Sequence, residues 1–80
     1  MSQSNFTIWG QPQCSYCEMS KKLLQLRNLK YDYKEIGSGY SKEDLLKVVP
    51  SARGVPQIFV DGIHIGGYKE LVGYLSHAKV

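Results

Sequence analysis

Cys14-Ser15-Tyr16-Cys17 places two thiols one helical turn apart, between a strand-like run, Phe6 to Trp9, and an amphipathic helical pattern. These are the only 2 cysteines in 80 residues. A C-x-x-C pair in that setting, with no further cysteines to complete a metal cage, reads as a dithiol redox site. Structural zinc would need two more ligands, and His64 and His77 lie too far apart for the usual H-x3-5-H spacing.

Composition narrows the class. A chain that is 42% hydrophobic and 21% charged is an ordinary globular domain, neither disordered nor membrane-spanning. The formal charge of +3 helps attract a small anion, but the Lys and Arg residues are scattered and form no stripe for nucleic acid. Residues 1–80 read as one domain, with 1–4 as a mobile tail and no secretory pattern at the start. A cytoplasmic location is therefore expected, where a lone cysteine pair serves catalysis better than stapling.

The pattern of residues predicts an α/β chain in the order βαβαββα. Phe6 to Trp9 suits a short buried strand, and Gly10 to Gln13 supplies the loop into the cysteines. Tyr16, Met19, Leu23 and Leu26 form the expected core stripe of the first helix. Tyr31 to Ile36 reads as a strand, and Ser41-Lys42-Glu43-Asp44 carries the signature of a helix start. That helix should end by Pro50. Gln57 to Val60 and Ile63 to Ile65 flank Asp61-Gly62, a two-residue hairpin turn. After Gly66-Gly67, Tyr68, Leu71, Val72 and Leu75 repeat at helical spacing.

Cys14 carries the chemistry. A free thiol of pKa near 8.5 is only about 3% thiolate at neutral pH, and the thiolate is the nucleophile. The helix dipole stabilises an anion at its N-terminus by at most about 2 kcal/mol, so direct hydrogen bonds must supply the rest. The free first-turn amides of Tyr16 and Cys17 are the expected donors. Cys17, one turn deeper and more buried, stays protonated until it attacks a mixed disulfide on Cys14. Cys14 is thus the nucleophile and Cys17 the resolving thiol. His64 and His77 read as a strand side chain and a helix-end charge, neither of them a general base.

Three segments, Cys14 to Cys17, Val55-Pro56-Gln57-Ile58-Phe59-Val60-Asp61-Gly62 and His64-Ile65-Gly66-Gly67-Tyr68, together resemble the dithiol glutaredoxins. These are small glutathione-using oxidoreductases of thioredoxin-like fold, with a four-stranded mixed sheet flanked by three helices. The resemblance covers nearly the whole chain. It implies a redox-active Cys14–Cys17 disulfide and a cis Pro56 opposite Cys14, with Val55 presenting its backbone to the cysteinyl part of glutathione. It implies too that the turn at Gly67 holds the γ-glutamyl end, with Tyr68 and Lys69 donating from the backbone, that Tyr16 packs on the ligand, and that Glu70, in a Lys69-Glu70 pair where the family commonly has aspartate, meets the glutathione ammonium with a longer arm.

Departures from the family pattern are equally specific. Gln11 is neutral where many members carry Lys or Arg for the glycyl carboxylate. Arg53 matches another basic position of the family, and Lys47 is a weaker candidate. Ser15 replaces the usual proline, which leaves a looser turn and a different thiol potential. Some members with a small residue there bridge a [2Fe-2S] cluster between two protomers through the first cysteine and glutathione. That cluster carrier is one alternative, with Cys14 as ligand; a redoxin reduced by thioredoxin reductase and serving ribonucleotide reductase is the other. The expected partners are glutathione and glutathionylated or disulfide-containing proteins, and the expected state is a monomer unless a cluster bridges it.

Overall fold

The computed structural model describes residues 4–77. Its elements are β1 (Phe6–Gly10), α1 (Ser15–Leu26), β2 (Tyr31–Glu35), α2 (Lys42–Val48), β3 (Gln57–Val60), β4 (Ile63–Gly66) and α3 (Tyr68–His77). The order is the expected one. Of the expected tail, residues 1–3 lie outside the described residues, and Asn5 is tied to the β3–β4 turn by reciprocal bonds to Asp61.

The sheet runs β2-β1-β3-β4, with β1 parallel to β2 and antiparallel to β3, and β3 antiparallel to β4. Register explains the layers. Phe6 pairs with Val60 and Ile8 with Ile58, so these four side chains share one face. There they meet Leu24 of α1 and Leu71 and Leu75 of α3 in the main core. Trp9 and Phe59 alternate to the other face, where Trp9 packs with Leu45 and Val49 of α2 and its C-cap. Two helices therefore cover one side and one covers the other.

Local chemistry sets the element ends. Ser41 and Asp44 form a reciprocal capping box at α2, each side chain bonding the other's backbone N–H. Asp61 and Gly62 both take positive φ, 52° and 83°, the geometry a two-residue hairpin demands. Gly10 ends β1 beneath the Tyr33 ring, where a Cβ would stand 2.7 Å from Tyr33 Cζ. Only glycine fits there.

The helical stripes fall differently from expectation. Tyr16, Met19 and Leu26 are exposed, the last at 82%, and α1 buries Cys17, Ser20 and Leu24 instead, with Leu23 partly covered. Ser20 enters the core because its hydroxyl is satisfied by the Tyr16 carbonyl at 2.8 Å. In α3, Leu71 and Leu75 are buried as expected, Val72 is exposed, and Tyr74 takes its place by packing edge-on against Phe6.

Candidate active site

Cys14 sits where β1 and its loop deliver the chain to α1. Gln13 takes a positive φ of 59°, and Cys14 then adopts an extended backbone as the N-cap of the helix. Its Sγ accepts the Cys17 N–H at 3.2 Å, so a sulfur occupies the place where serine or aspartate commonly caps a helix. Of the two expected donors, Cys17 N–H makes the bond and Tyr16 N–H does not. The two cysteines form a disulfide, with Cys17 fully buried and Cys14 half-buried. One sulfur faces outward and the other inward.

Opposite Cys14 lies the Val55–Pro56 bond, which is cis. The Val55 carbonyl oxygen approaches Cys14 Sγ to 4.0 Å, and Pro56 is buried beneath. A thiol can donate to that carbonyl whereas a thiolate is repelled by it, so the Cys17 N–H and the helix end must outweigh it for the anion to form.

A groove of about 420 Å³ runs past this point, lined by Tyr16, Val55, Pro56, Gly67, Tyr68, Lys69 and Glu70. Seven residues nominated from the sequence thus share one cleft. The Tyr16 ring is 54% exposed and leans on Tyr68, centroids 5.6 Å apart, so it is a surface side chain and not a core one. Gly67 faces Pro56, whose carbonyl oxygen would be 3.3 Å from a Cβ at position 67. Larger residues there would crowd the groove floor.

At the mouth of α3 the Glu70 carboxylate folds back, its Oε1 accepting the Gly67 N–H at 2.8 Å. That bond, then one from its own N–H, holds the Glu70 carboxyl below the usual glutamate range. One carboxylate oxygen is thus committed to the helix. Tyr68 and Lys69 retain first-turn N–H groups without intrahelical acceptors, which makes this end of the groove suited to a carboxylate.

Gln11 and Arg53 lie elsewhere. Together with Val55 and Gly54 they line a second recess of about 240 Å³, which α2 completes with Lys42, Leu45 and Leu46. Lys47 lines neither recess. Lys42 was not anticipated, although its spacing to Leu45 and Leu46 on one helical face was open to view. A larger hollow of about 540 Å³, beside Asn5, Gln25 and Tyr31, lies at the opposite ends of β1 and β2. The cysteines follow the carboxyl end of β1, the end at which open α/β sheets bind ligands.

The histidines stay apart from the sulfurs in their bonding. His64 pairs with Gln57 at 2.7 Å, and His77 Nδ1 donates to the Gly73 carbonyl at 2.8 Å. Among the described residues no group of three or more His, Cys, Asp or Glu side chains converges as a metal cage.

The glutaredoxin family model matches residues 6–65. Glutaredoxin 1 of Escherichia coli strain K12 is 39% identical over 76 residues, covering 86% of this chain and 89% of its own length. The mitochondrial glutaredoxin-2 of Rattus norvegicus is 38% identical over 72 residues, which are 84% of this chain and 45% of that protein. The chain thus spans about half the length of such relatives. A crystal structure of a buckwheat glutaredoxin–glutathione complex superposes with a TM-score of 0.77 at 25% identity, over 91% of this chain and 69% of the other. The shared thioredoxin-like architecture, the C-x-x-C disulfide at the mouth of α1 and these matches agree: the chain belongs to the glutaredoxin family.

Proposed function

We propose that the chain is a glutathione-dependent thiol–disulfide oxidoreductase. The observation that carries this reading is the half-buried Cys14 sulfur, bonded by the Cys17 N–H, at the side of a groove whose far end offers free helix amides. Glutathione has a thiol between two carboxylate-bearing arms. With its cysteinyl backbone along Val55, one arm reaches the Tyr68 and Lys69 N–H groups, and Tyr16 covers the ligand. Pro56 and Gly67 keep the floor flat. Glu70 offers its second carboxylate oxygen to the ligand ammonium.

The Cys14 thiolate attacks the glutathionyl sulfur of a mixed disulfide. A Cys14–glutathione disulfide forms, the original bond breaks, and the substrate sulfur leaves as thiolate to take a proton from water. A second glutathione thiolate then attacks the glutathionyl sulfur; glutathione disulfide departs and the Cys14 thiolate returns. With a protein disulfide, Cys14 attacks first. Cys17 gives up its proton, attacks the Cys14 sulfur and expels the reduced protein, leaving the Cys14–Cys17 disulfide for two glutathiones to reduce. Such chemistry suits a reducing compartment, and we place the chain in the cytoplasm on that ground.

The test compares two electron sources. Turnover of a glutathionylated peptide should proceed with glutathione and glutathione reductase and be slow with thioredoxin reductase. A clear preference for thioredoxin reductase overturns the proposal.

A further inference from the structure

We propose that the Tyr33 hydroxyl donates a hydrogen bond to the Cys17 sulfur once the disulfide opens, and so steadies the resolving thiolate as it attacks Cys14. This rests on the thiol–disulfide reading above and concerns its dithiol branch alone. Tyr33 is half-buried as a residue, yet its hydroxyl oxygen is shut off from solvent. Among the described residues it is the one buried side-chain oxygen or nitrogen with no hydrogen-bond partner. Such a group destabilises the state in which it is unpartnered.

Topology puts that hydroxyl at the level of the cysteines. β1 and β2 are parallel, so α1, which joins them, runs back across both, and its first turn lies over their carboxyl ends. Tyr33 is paired with Ile8, and its ring reaches on toward Gly10, where the hydroxyl fills the space that a Cβ would need. Gly10 shares the face of Phe6 and Ile8, which α1 covers through Leu24. Lys21 of α1 lies over the same ring, its Nζ 4.2 Å from the centroid, and Cys17 is one helical turn before Lys21 on that side. The fully buried, inward sulfur therefore meets the sheet beside the phenol oxygen. In the oxidised protein that sulfur is bonded to Cys14 and carries no charge to draw the hydroxyl.

Reduction supplies the missing partner. Cys17 must lose a proton before it attacks, and a buried thiolate is costly without a donor. Burial raises the Tyr33 pKa against the pull of Lys21, so the phenol keeps its proton and serves as a donor, not as a base. Lys21, paired with the exposed Glu18 at 3.0 Å, holds its charge over the ring and makes the phenol a stronger donor. In the resolving step the Cys17 thiol gives its proton to water, and its thiolate, bonded by Tyr33, attacks the Cys14 sulfur. The Cys14–substrate bond breaks, and the substrate sulfur leaves as thiolate and takes a proton from water. Tyr33 keeps its own proton throughout.

Redox titration of the Cys14–Cys17 pair against dithiothreitol tests the assignment, because it needs no glutathione site. Tyr33→Phe keeps the ring and removes only the hydroxyl, which is unpartnered in the oxidised protein and partnered in the reduced one. A hydrogen bond gained on reduction is worth about fivefold in the equilibrium constant, so the variant should favour the disulfide and its potential should fall by about 20 mV. Single-turnover release of a reduced protein from its mixed disulfide with Cys14, the step Cys17 performs, should slow about tenfold, since a bond to an anion is the stronger kind. An unchanged or higher potential, or equal slowing of that release and of Cys14 attack on a glutathionylated peptide, would overturn the role of Tyr33 and leave the glutathione reading intact. A wild type that prefers thioredoxin reductase overturns the glutathione reading and leaves the titration result standing.

Discussion

Two helix mouths open onto the same groove, and opposite kinds of atom close them. At α1 the Cys14 sulfur takes the Cys17 N–H; at α3 the Glu70 carboxylate takes the Gly67 N–H. The physical need is identical, because first-turn amides have no partner inside a helix. What differs is the freedom of the cap. Cys14 is half-buried and covalently joined to the fully buried Cys17, whereas Glu70 is exposed and can rotate away. One mouth is closed by the reactant itself. The other is closed by an exposed, non-covalent side chain that leaves the next two amides free.

Cys14→Ser should break the comparison most severely. Serine is a good N-cap, so the helix should keep its start and the protein its melting temperature relative to the reduced wild type. All thiol exchange should vanish. Cys17→Ser should keep deglutathionylation and lose intramolecular reduction of protein disulfides, because the outward sulfur remains and the inward one is gone. Assays with a glutathionylated peptide and with a protein disulfide check both variants. Equal loss in both assays from either substitution would sink the division of labour between the two sulfurs.

The α3 mouth is tested next by Gly66→Ala. Gly66 has φ of 125°, and a Cβ there would come within 2.5 Å of Glu70 Cγ. Backbone strain of that kind costs about 1–3 kcal/mol, and the displaced Glu70 can no longer cap Gly67. Chemical denaturation should show the loss, and the KM for glutathione should rise with it. An unchanged midpoint would mean that this turn is less determined than the Glu70 contact implies.

The two mouths were unequally legible in the sequence. The C-x-x-C pair at the start of α1 and the Asp61-Gly62 turn are local signals, and so is the Ser41–Asp44 box. Each depends on residues within four of one another. The core phase of α1 was misread for a nearby reason: Tyr16 and Met19 face the groove side or solvent, and a serine satisfied by its own helix is buried in their stead. At α3 the helix start has glycine, not serine, opposite Glu70, so the usual reciprocal signature is missing and the acid reads as a ligand contact. For Lys42 the helical spacing was open to view, but its surroundings were not. Its recess exists only because Leu45 carries α2 onto Trp9 of β1, a contact across 36 residues that no local pattern records.

The smallest expected effect separates the two caps by acid. Hydrogen bonds from Gly67 and from its own backbone lower the Glu70 pKa in the folded protein. Its contribution to stability is therefore complete above the unfolded pKa of an ordinary glutamate and is lost as pH falls through the lowered folded value. Asp44 behaves alike at α2, where the Ser41 backbone and side chain lower its pKa. Wild type should accordingly lose melting temperature as pH falls through and below the ordinary carboxylate range, with two carboxylates contributing. Glu70→Gln removes the α3 share and leaves the α2 share, so the two melting curves should differ at the upper end and converge toward the lower. The disulfide-capped mouth takes no part, because a bonded sulfur has no proton to gain. Parallel curves throughout would show that the Glu70 charge is not held by the helix, and the contrast between a titrating cap and a covalent one would lose its basis.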